Sequence, residues 1–235
     1  MTTPIVGIPP FLIRAYREAK FAVDSPKPIM LFVGRSNQDL KHLLADSKVT
    51  TAAFITAHNP CSEKLDDADN AKAQSNLIGD VQALGYRYIN GYGQDIAEEW
   101  PREESILILG ITESQAEALS DKYSQNAFVW IGTSDAYVSL RLRRPIAVPS
   151  NKEAAKWLGC LSNEQKSEAK KLSATEQAWL MTASDKEQAH WLSPSAWDLN
   201  KPWPLAKPDG SSMGIGTELD RIFKIIAAGQ ISLVR

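Results

Sequence analysis

Residues 105–111 read Ser-Ile-Leu-Ile-Leu-Gly-Ile, and this short stretch decides the fold that the sequence predicts. A strand built from it has two apolar faces, because residues 106–109 are all Ile or Leu. Strands with two apolar faces are typical of the centre of a sheet that is covered on both sides. We therefore predict a central strand from Ser105 to Ile111.

Apolar periodicity and capping residues on either side of this strand predict the elements that flank it. A helix between residues 66 and 84 is expected to begin at a cluster of aspartates and to end at Gly85, and Thr112 with Gln115 forms a capping box for a second helix. The predicted strands around these helices are 51–57, 86–92, 105–111, 127–131 and 137–142.

The order strand, helix, strand, strand, helix, strand over residues 54–131 is typical of a ferredoxin-like split β-α-β sandwich. Two short strands precede it, at Phe21–Val23 and Ile29–Val33, and Ser36 is expected to cap the helix that follows them. The predicted fold class is therefore α/β, a ferredoxin-like sandwich with extra N-terminal strands and a small C-terminal helical appendage.

The character of the sequence changes after Leu142. Residues 143–150 include two prolines and are interpreted as a linker, and the region beyond them contains five of the seven tryptophans. Helices are predicted there at 152–161, 164–172, 175–191 and 217–228. We thus predict an α/β domain at 1–142, a linker at 143–150 and a Trp-rich, mainly helical region at 151–235.

The composition excludes several classes of protein. With 43% hydrophobic and 23% charged residues, the 235-residue chain can bury a core and is not of the disordered class. A net charge of -2 gives no electrostatic footprint for nucleic acid, although Arg141, Arg143 and Arg144 leave that alternative open. No apolar run is long enough to span a bilayer and no secretory signal follows Met1, so we expect a cytoplasmic protein without a membrane partner.

The two cysteines, Cys61 and Cys160, are far apart and lack the paired spacing of a zinc or redox motif. We therefore expect free thiols, with no metal site and no cofactor. His58 stands three residues before Cys61 and leaves an activated thiolate open, but a small packing residue is the simpler interpretation of a lone cysteine.

Alternating chain direction in the predicted topology brings four polar clusters to one edge of the sheet. The end of the first strand, the end of the second, the start of the third and the approach to the fourth share that edge, where α/β folds usually place their chemistry. Asn59, Glu104 and Gln125 are expected around a common rim. The candidate ligand-binding residues are Thr56, His58, Asn59, Trp100, Glu103, Glu104, Ser105, Gln125 and Asn126.

Structural roles for the same residues stay open. Asn59 before Pro60 is a natural turn residue, and Gln125 with Asn126 can simply end a helix. Gly91 and Gly93 form no phosphate-binding fingerprint and are interpreted as permitting a bend or a bulge.

Side-chain direction restricts the acidic pair, since adjacent residues of a strand alternate faces. Only one of Glu103 and Glu104 can therefore point into the crevice, and solvation of both at the surface stays open. Trp100 lies in the long connection between two strands, where its ring would either cover the crevice or anchor the loop.

Several of these motifs occur together in a known family. Residues 53–60, Asn70, Gly85-Tyr86, residues 91–93, Trp100, residues 103–105 and residues 125–127 resemble the bacterial family called domain of unknown function 3293. The resemblance extends over roughly residues 10–142 and implies no established activity. His58 departs from the family pattern, which favours an aromatic residue such as Trp, so a role for His58 would be peculiar to this chain.

A second resemblance concerns the C-terminal region. The residues that are similar in order to the toxin-binding domain of parS and MbcA type antitoxins are 189–192, Leu199, Pro204-Leu205, Gly216, Leu219, Arg221-Ile222 and Gly229. The Gly-Gly turn of that domain is absent, because Asn200-Lys201 stand in its place. The similarity implies protein binding rather than catalysis.

Two classes of function stay open. The first is a binding module that recognises a small polar ligand or a protein through the polar edge and the Trp-rich region, with Trp191, Trp197 and Trp203 as candidate partner-binding residues. The second is a hydrolase or transferase in which a Glu of the pair 103–104 acts as general base and the Asn or Gln amides stabilise developing charge. We favour the binding module, because no nucleophile completes a catalytic set.

Overall fold

The computed structural model describes residues 7–132 and 135–192. The chain divides into two compact units, Arg17–Arg143 and a second unit made of the described residues up to Tyr16 together with those from Arg144 onward. Two backbone hydrogen bonds explain the second grouping: Ile8 N donates to Pro145 O at 2.8 Å, and Ala147 N donates to Ile8 O at 2.9 Å. The sequence instead predicts that residues 1–16 belong to the same domain as the sheet, with the domain boundary at residue 142.

The unit Arg17–Arg143 is a mixed α/β structure built on a sheet of seven strands in which every neighbouring pair is antiparallel. The strands are β1 (Lys20–Val23), β2 (Ile29–Phe32), β3 (Ala52–Ile55), β4 (Arg87–Gln94), β5 (Glu103–Leu109), β6 (Ala127–Ile131) and β7 (Val138–Leu142). Their order is β2-β1-β4-β5-β3-β6-β7. The N-terminal strands thus extend the sheet, because β1 pairs with β4.

Helices cover both faces of this sheet. They are α2 (Gln38–Asp46) on one face and α3 (Asp67–Ala83) and α4 (Glu113–Lys122) on the other, while α1 (Pro10–Glu18) precedes β1 in the chain. A short 3-10 helix, Pro60–Ser62, follows β3. The sequence patterns had not predicted α1.

The buried character predicted for residues 105–111 is confirmed. Leu107 and Leu109 of β5 face a core that also contains Leu40 and Leu44 of α2. Ile106 and Ile108 face the opposite core, which is completed by apolar residues of α3 and α4. The strand therefore has two apolar faces because each face packs against helices.

The sheet curls until its two outer edges approach each other. Just beyond β2, Gly34 N donates to Val138 O at 2.8 Å, and Val138 N donates to Arg35 O at 3.0 Å. A bridge between Ser36 and Tyr137 continues this contact. The chain after one edge strand thus pairs with the start of the other, which shields edges that would otherwise offer unpaired backbone groups to other strands.

Local capping residues begin and end the helices. The capping box of Thr112 and Gln115 opens α4, and Gly85 adopts the left-handed conformation after α3 with φ of +79°, as the sequence predicts. The cap of α2 differs from the prediction: Asn37, not Ser36, accepts a hydrogen bond from Leu40 N at 2.9 Å. The side-chain amide of Asn37 also donates a hydrogen bond to Met30 O of β2. This second contact explains why Asn37, and not Ser36, caps the helix.

The second unit contains four short helices after residue 150. They are α5 (Asn151–Cys160), α6 (Asn163–Ala169), α7 (Ala174–Met181) and α8 (Asp185–Trp191). The single helix predicted for 175–191 is wrong, because Ser184 and Glu187 cap a new helix: Ser184 N donates to Glu187 Oε2 at 2.8 Å. The helix predicted for 217–228 lies outside the described residues.

These four helices repeat one sequence unit, which the sequence analysis missed. Each begins at a serine followed three residues later by Glu or Gln, and the serines stand at intervals of 12, 11 and 11 residues. Side-chain to backbone hydrogen bonds of the capping-box type form at all four sites. The eighth residue of every unit is buried, namely Trp157, Ala169, Leu180 and Trp191. The region is therefore a tandem repeat of short helices.

Within the described ranges 7–132 and 135–192, no helix combines the length and the apolar character needed to cross a bilayer.

Gly91 occupies the most restricted position of β4. It pairs with Val23 on one side and with Ser105 on the other. A Cβ atom at this position would lie 2.1 Å from Ala22 O and 2.9 Å from Phe54 Cε2. The neighbouring Gly93 has room for a Cβ atom, since the nearest atom would be a Phe21 ring carbon at 3.6 Å, an ordinary van der Waals contact.

We predict that Gly91→Ala lowers the free energy of unfolding by about 1–3 kcal/mol or more, because the added methyl group collides with the backbone of β1. Gly93→Ala is the matched control in the same strand, and we expect it to be neutral or to stabilise by about 0.5 kcal/mol. Urea unfolding followed by circular dichroism measures both. Equal effects of the two substitutions would contradict the close approach at Gly91.

Candidate functional site

One end of the sheet brings the predicted polar clusters into direct contact. Asn59 Nδ2 donates to Glu103 Oε1 at 2.6 Å, which joins the segment after β3 to the start of β5. Gln125 Nε2 donates to His58 O at 3.0 Å, which joins the approach to β6 to the same segment. Gly93 at the end of β4 pairs with Glu103. The topology thus gathers the four clusters at one edge.

The segment after β3, residues 56–62, is named the left-handed loop here because of its backbone. Asn59, Cys61 and Ser62 have φ of 47°, 57° and 61°, and none of them is glycine. The left-handed conformation is unfavourable for most residues other than glycine and is tolerated best by asparagine, so at Cys61 and Ser62 it persists only where surrounding contacts enforce it. Ser124, with φ of 52°, accepts a hydrogen bond from Cys61 N at 2.8 Å through its carbonyl.

Asn59 is the centre of the contacts that hold this loop. Its Oδ1 accepts hydrogen bonds from Leu65 N and from Asn70 Nδ2, each at 3.1 Å. Its backbone N donates to Asn70 Oδ1 at 2.8 Å. Asn59 therefore bonds through its side chain and its backbone, as the turn interpretation expects, while the same side chain reaches Glu103.

Two further residues that hold the loop were missed by the sequence analysis as functional candidates. Asn70 and Gln74 of α3 are both buried, and Gln74 Oε1 accepts a hydrogen bond from Ala57 N at 2.9 Å. They occupy the same helical face as Leu77 and Val81, since the four residues follow at spacings of four, three and four. A polar residue within an apolar helical stripe was the signal that could have identified them.

The amides of Gln125 and Asn126 also fasten backbone and loop rather than point away from the protein. Gln125 donates to the carbonyls of His58 and Tyr123, and Asn126 Nδ2 donates to Ser62 Oγ at 3.1 Å. Both residues are buried. The contacts of these two amides are therefore those of structural residues that hold the backbone and the loop.

Of the two adjacent carboxylates, Glu103 joins the cluster and Glu104 does not. Glu103 is half-buried, and among the described residues its second oxygen, Oε2, has no hydrogen-bond partner. Glu104 is exposed, and it contributes its backbone carbonyl, which accepts from Thr56 Oγ1 at 2.7 Å. The expectation that the Glu104 side chain shares a rim with Asn59 is thus corrected to Glu103.

Trp100 and Ser105 have contrasting environments. The Trp100 side chain is 66% exposed, so its ring does not anchor the loop. Asp95 fixes the loop instead, since its Oδ1 accepts a hydrogen bond from Trp100 N at 2.9 Å. Ser105 is buried, and its hydroxyl donates to the carbonyl of Glu103.

The structure gives no support to an activated thiolate at Cys61. His58 N donates to Thr56 Oγ1 at 3.0 Å, while His58 Nε2 is shielded from solvent and has no hydrogen-bond partner among the described residues. The Nε2 atom of the imidazole therefore forms no hydrogen bond to Cys61. In residues 7–132 and 135–192 no group of three or more His, Cys, Asp or Glu side chains is placed to hold a metal ion.

Two of the three arginines considered for nucleic-acid binding, Arg141 and Arg143, are paired with carboxylates of α4. Arg141 forms a salt bridge with Glu113, and Arg143 forms salt bridges with Glu117 and Asp121. The hydrogen bond with the Asp121 carboxylate raises the pKa of Arg143 above its ordinary value. These cations thus join β7 and the segment after it to α4.

The candidate partner-binding tryptophans do not form an exposed surface in the described part of the chain. Trp191 is 6% exposed and belongs to the core of the C-terminal helices, together with Trp157 and Trp179. Trp197 and Trp203 lie outside the described residues, as does most of the segment similar to the antitoxin domain.

Comparison with known proteins gives one family model that matches part of the chain. Residues 55–128 match the model of the family described as Protein of unknown function (DUF3293), which confirms the predicted resemblance over that segment. The match begins at the end of β3 and ends in β6, so it includes the left-handed loop, Glu103 and the amides that hold the loop. No curated protein and no solved structure matches the chain.

We predict that Asn59→Ala lowers the free energy of unfolding by about 2–4 kcal/mol, because it removes the loop contacts and places an Ala in a left-handed conformation. Asn59→Gly removes the same side-chain contacts but tolerates the backbone. We expect it to cost about 1 kcal/mol less. Urea unfolding of both variants gives the difference. Equal losses would show that the left-handed backbone at residue 59 carries no strain.

Proposed function

We propose that the unit Arg17–Arg143 is a binding module that recognises a small polar ligand at the edge formed by the left-handed loop and Glu103. We interpret its core as a ferredoxin-like sandwich. The support is the strand order β4-β5-β3-β6, in which β5 separates the two strands that α3 connects.

The observation that carries the proposal is the left-handed backbone at Asn59, Cys61 and Ser62. Each such residue costs stability, and a simple connection from β3 to α3 does not need them. Three buried polar side chains maintain this conformation: Asn70 and Gln74 of α3, and Gln125 before β6. Strain that is maintained in this way is typical of sites where a loop is preorganised for binding.

The ligand chemistry follows from Glu103. Its Oε1 is occupied by the Asn59 amide, and Oε2 is the oxygen with no hydrogen-bond partner among the described residues. Carboxylates accept hydrogen bonds only, and they bind charged donors more strongly than neutral ones. The expected ligand therefore carries an ammonium, an amidine or a similar N–H donor.

The contacts of the amides favour binding over the enzymatic alternative. A hydrolase or transferase of the kind considered above needs amide N–H groups that are available to developing negative charge. Gln125 already donates to two carbonyls, and the Asn59 amide already donates to Glu103. Asn126 donates to Ser62. These donors are used inside the protein.

We predict that the chain, incubated with a bacterial metabolite extract and examined by native mass spectrometry, retains an N–H donor compound unchanged. Glu103→Gln keeps an oxygen that accepts from Asn59 but removes the charge, so we expect retention to fall at least tenfold, as for a charge-assisted hydrogen bond. Glu104→Gln is the matched control, and its retention should equal that of the unmodified chain.

The proposal fails if nothing is retained, or if both variants lose the compound equally. A compound that is consumed rather than retained supports the enzymatic alternative. Thermal unfolding of both variants checks that the loop is still folded.

A further inference from the structure

The connection from β4 to β5 exposes two large apolar side chains. This segment, residues 95–102, is named the Trp100 loop. Ile96 is 64% exposed and Trp100 is 66% exposed, which are the largest exposed fractions of any large hydrophobic residue in the described part of the chain. Single exposed apolar residues are common on protein surfaces. Here two of them stand in one loop, four positions apart.

The loop is fixed by polar contacts that use neither apolar side chain. The Asp95 carboxylate accepts hydrogen bonds from Glu99 N at 3.1 Å and from Trp100 N at 2.9 Å. Glu98, with φ of 58°, forms an ion pair with Lys20 of β1. The backbone is thus ordered by hydrogen bonds and a salt bridge, so packing within the unit does not explain why residues 96 and 100 are apolar.

The surroundings of these side chains are acidic. Residues 95–104 include five carboxylates, Asp95, Glu98, Glu99, Glu103 and Glu104, against one basic residue. That residue, Arg102, stacks on Tyr92 with its Cζ atom 4.2 Å from the ring centroid. The hydrogen bond from Trp100 N lowers the pKa of Asp95, and the contact with Lys20 lowers the pKa of Glu98, so both are ionised at neutral pH.

We propose that the Trp100 loop docks Trp100 and Ile96 into an apolar pocket of another protein whose rim carries Lys or Arg. Tryptophan is the residue most typical of interface hot spots, and an ordered loop loses little conformational entropy on docking. The surrounding carboxylates favour a basic rim, since complementary charge speeds association and excludes acidic surfaces. The inference goes beyond the proposed ligand site, because it depends on neither the left-handed loop nor Glu103.

The experiment places the photo-crosslinker p-benzoylphenylalanine at Ala97, an exposed position between the two anchors, in the full chain expressed in its own cells. After irradiation, mass spectrometry identifies the adduct and the cross-linked peptide. We expect one dominant protein partner, cross-linked at an apolar segment flanked by Lys or Arg. Trp100→Ser should reduce the adduct at least tenfold, and 0.5 M salt should reduce association of the purified pair severalfold.

Leu84→Ser is the matched control, because it removes another exposed apolar side chain from the same unit. Its adduct yield should equal that of the unmodified chain, and Asn59→Gly should also leave the adduct unchanged. The proposal is overturned if no adduct forms or if Trp100→Ser has no effect. A cross-link to an acidic surface or to a second copy of this chain would overturn it as well.

Discussion

The pairing of β3 with β5 is the interaction on which the rest of the sheet unit depends. Four residue pairs from Ala52 opposite Leu109 to Ile55 opposite Ile106 form a ladder in which every residue is buried. Because successive side chains point to opposite faces, this ladder supplies apolar surface to two cores at once. One core is closed by α2 and the other by α3 and α4. Both layers of helices therefore pack on the same two strands.

The same ladder explains why the left-handed loop can exist. It brings the chain that leaves β3 beside the start of β5, so that the amide of Asn59 meets the carboxylate of Glu103. α3 then returns along the sheet and presents Asn70 and Gln74 to the loop from its buried face. Unfavourable backbone angles at one end of the sheet are thus supported by hydrogen bonds whose geometry the well-packed centre determines.

Much of the sheet unit could be predicted because its signals are local. The apolar run of β5, the Thr112 capping box and the stop at Gly85 are each recognisable within a few residues of sequence. The order of the strands and helices then predicts that the polar clusters lie at the same end of the sheet. The remaining features depend on contacts between different segments of the chain, which local sequence patterns do not reveal. Asn37 caps α2 and also bonds to Met30 of β2. Only the fold shows that Glu103 faces Asn59. The break between α7 and α8 was local, but its Ser184-Glu187 signal was overlooked.

The repeated units of the C-terminal helices have a consequence for how this region can change. Each helix of 7–10 residues is too short to be stable in isolation, so the units hold together through their shared core of Trp157, Leu180 and Trp191. Gain or loss of one whole unit would keep every eighth residue in phase with that core. Duplication in tandem is therefore a route by which this part of the chain can lengthen or shorten without a new packing solution.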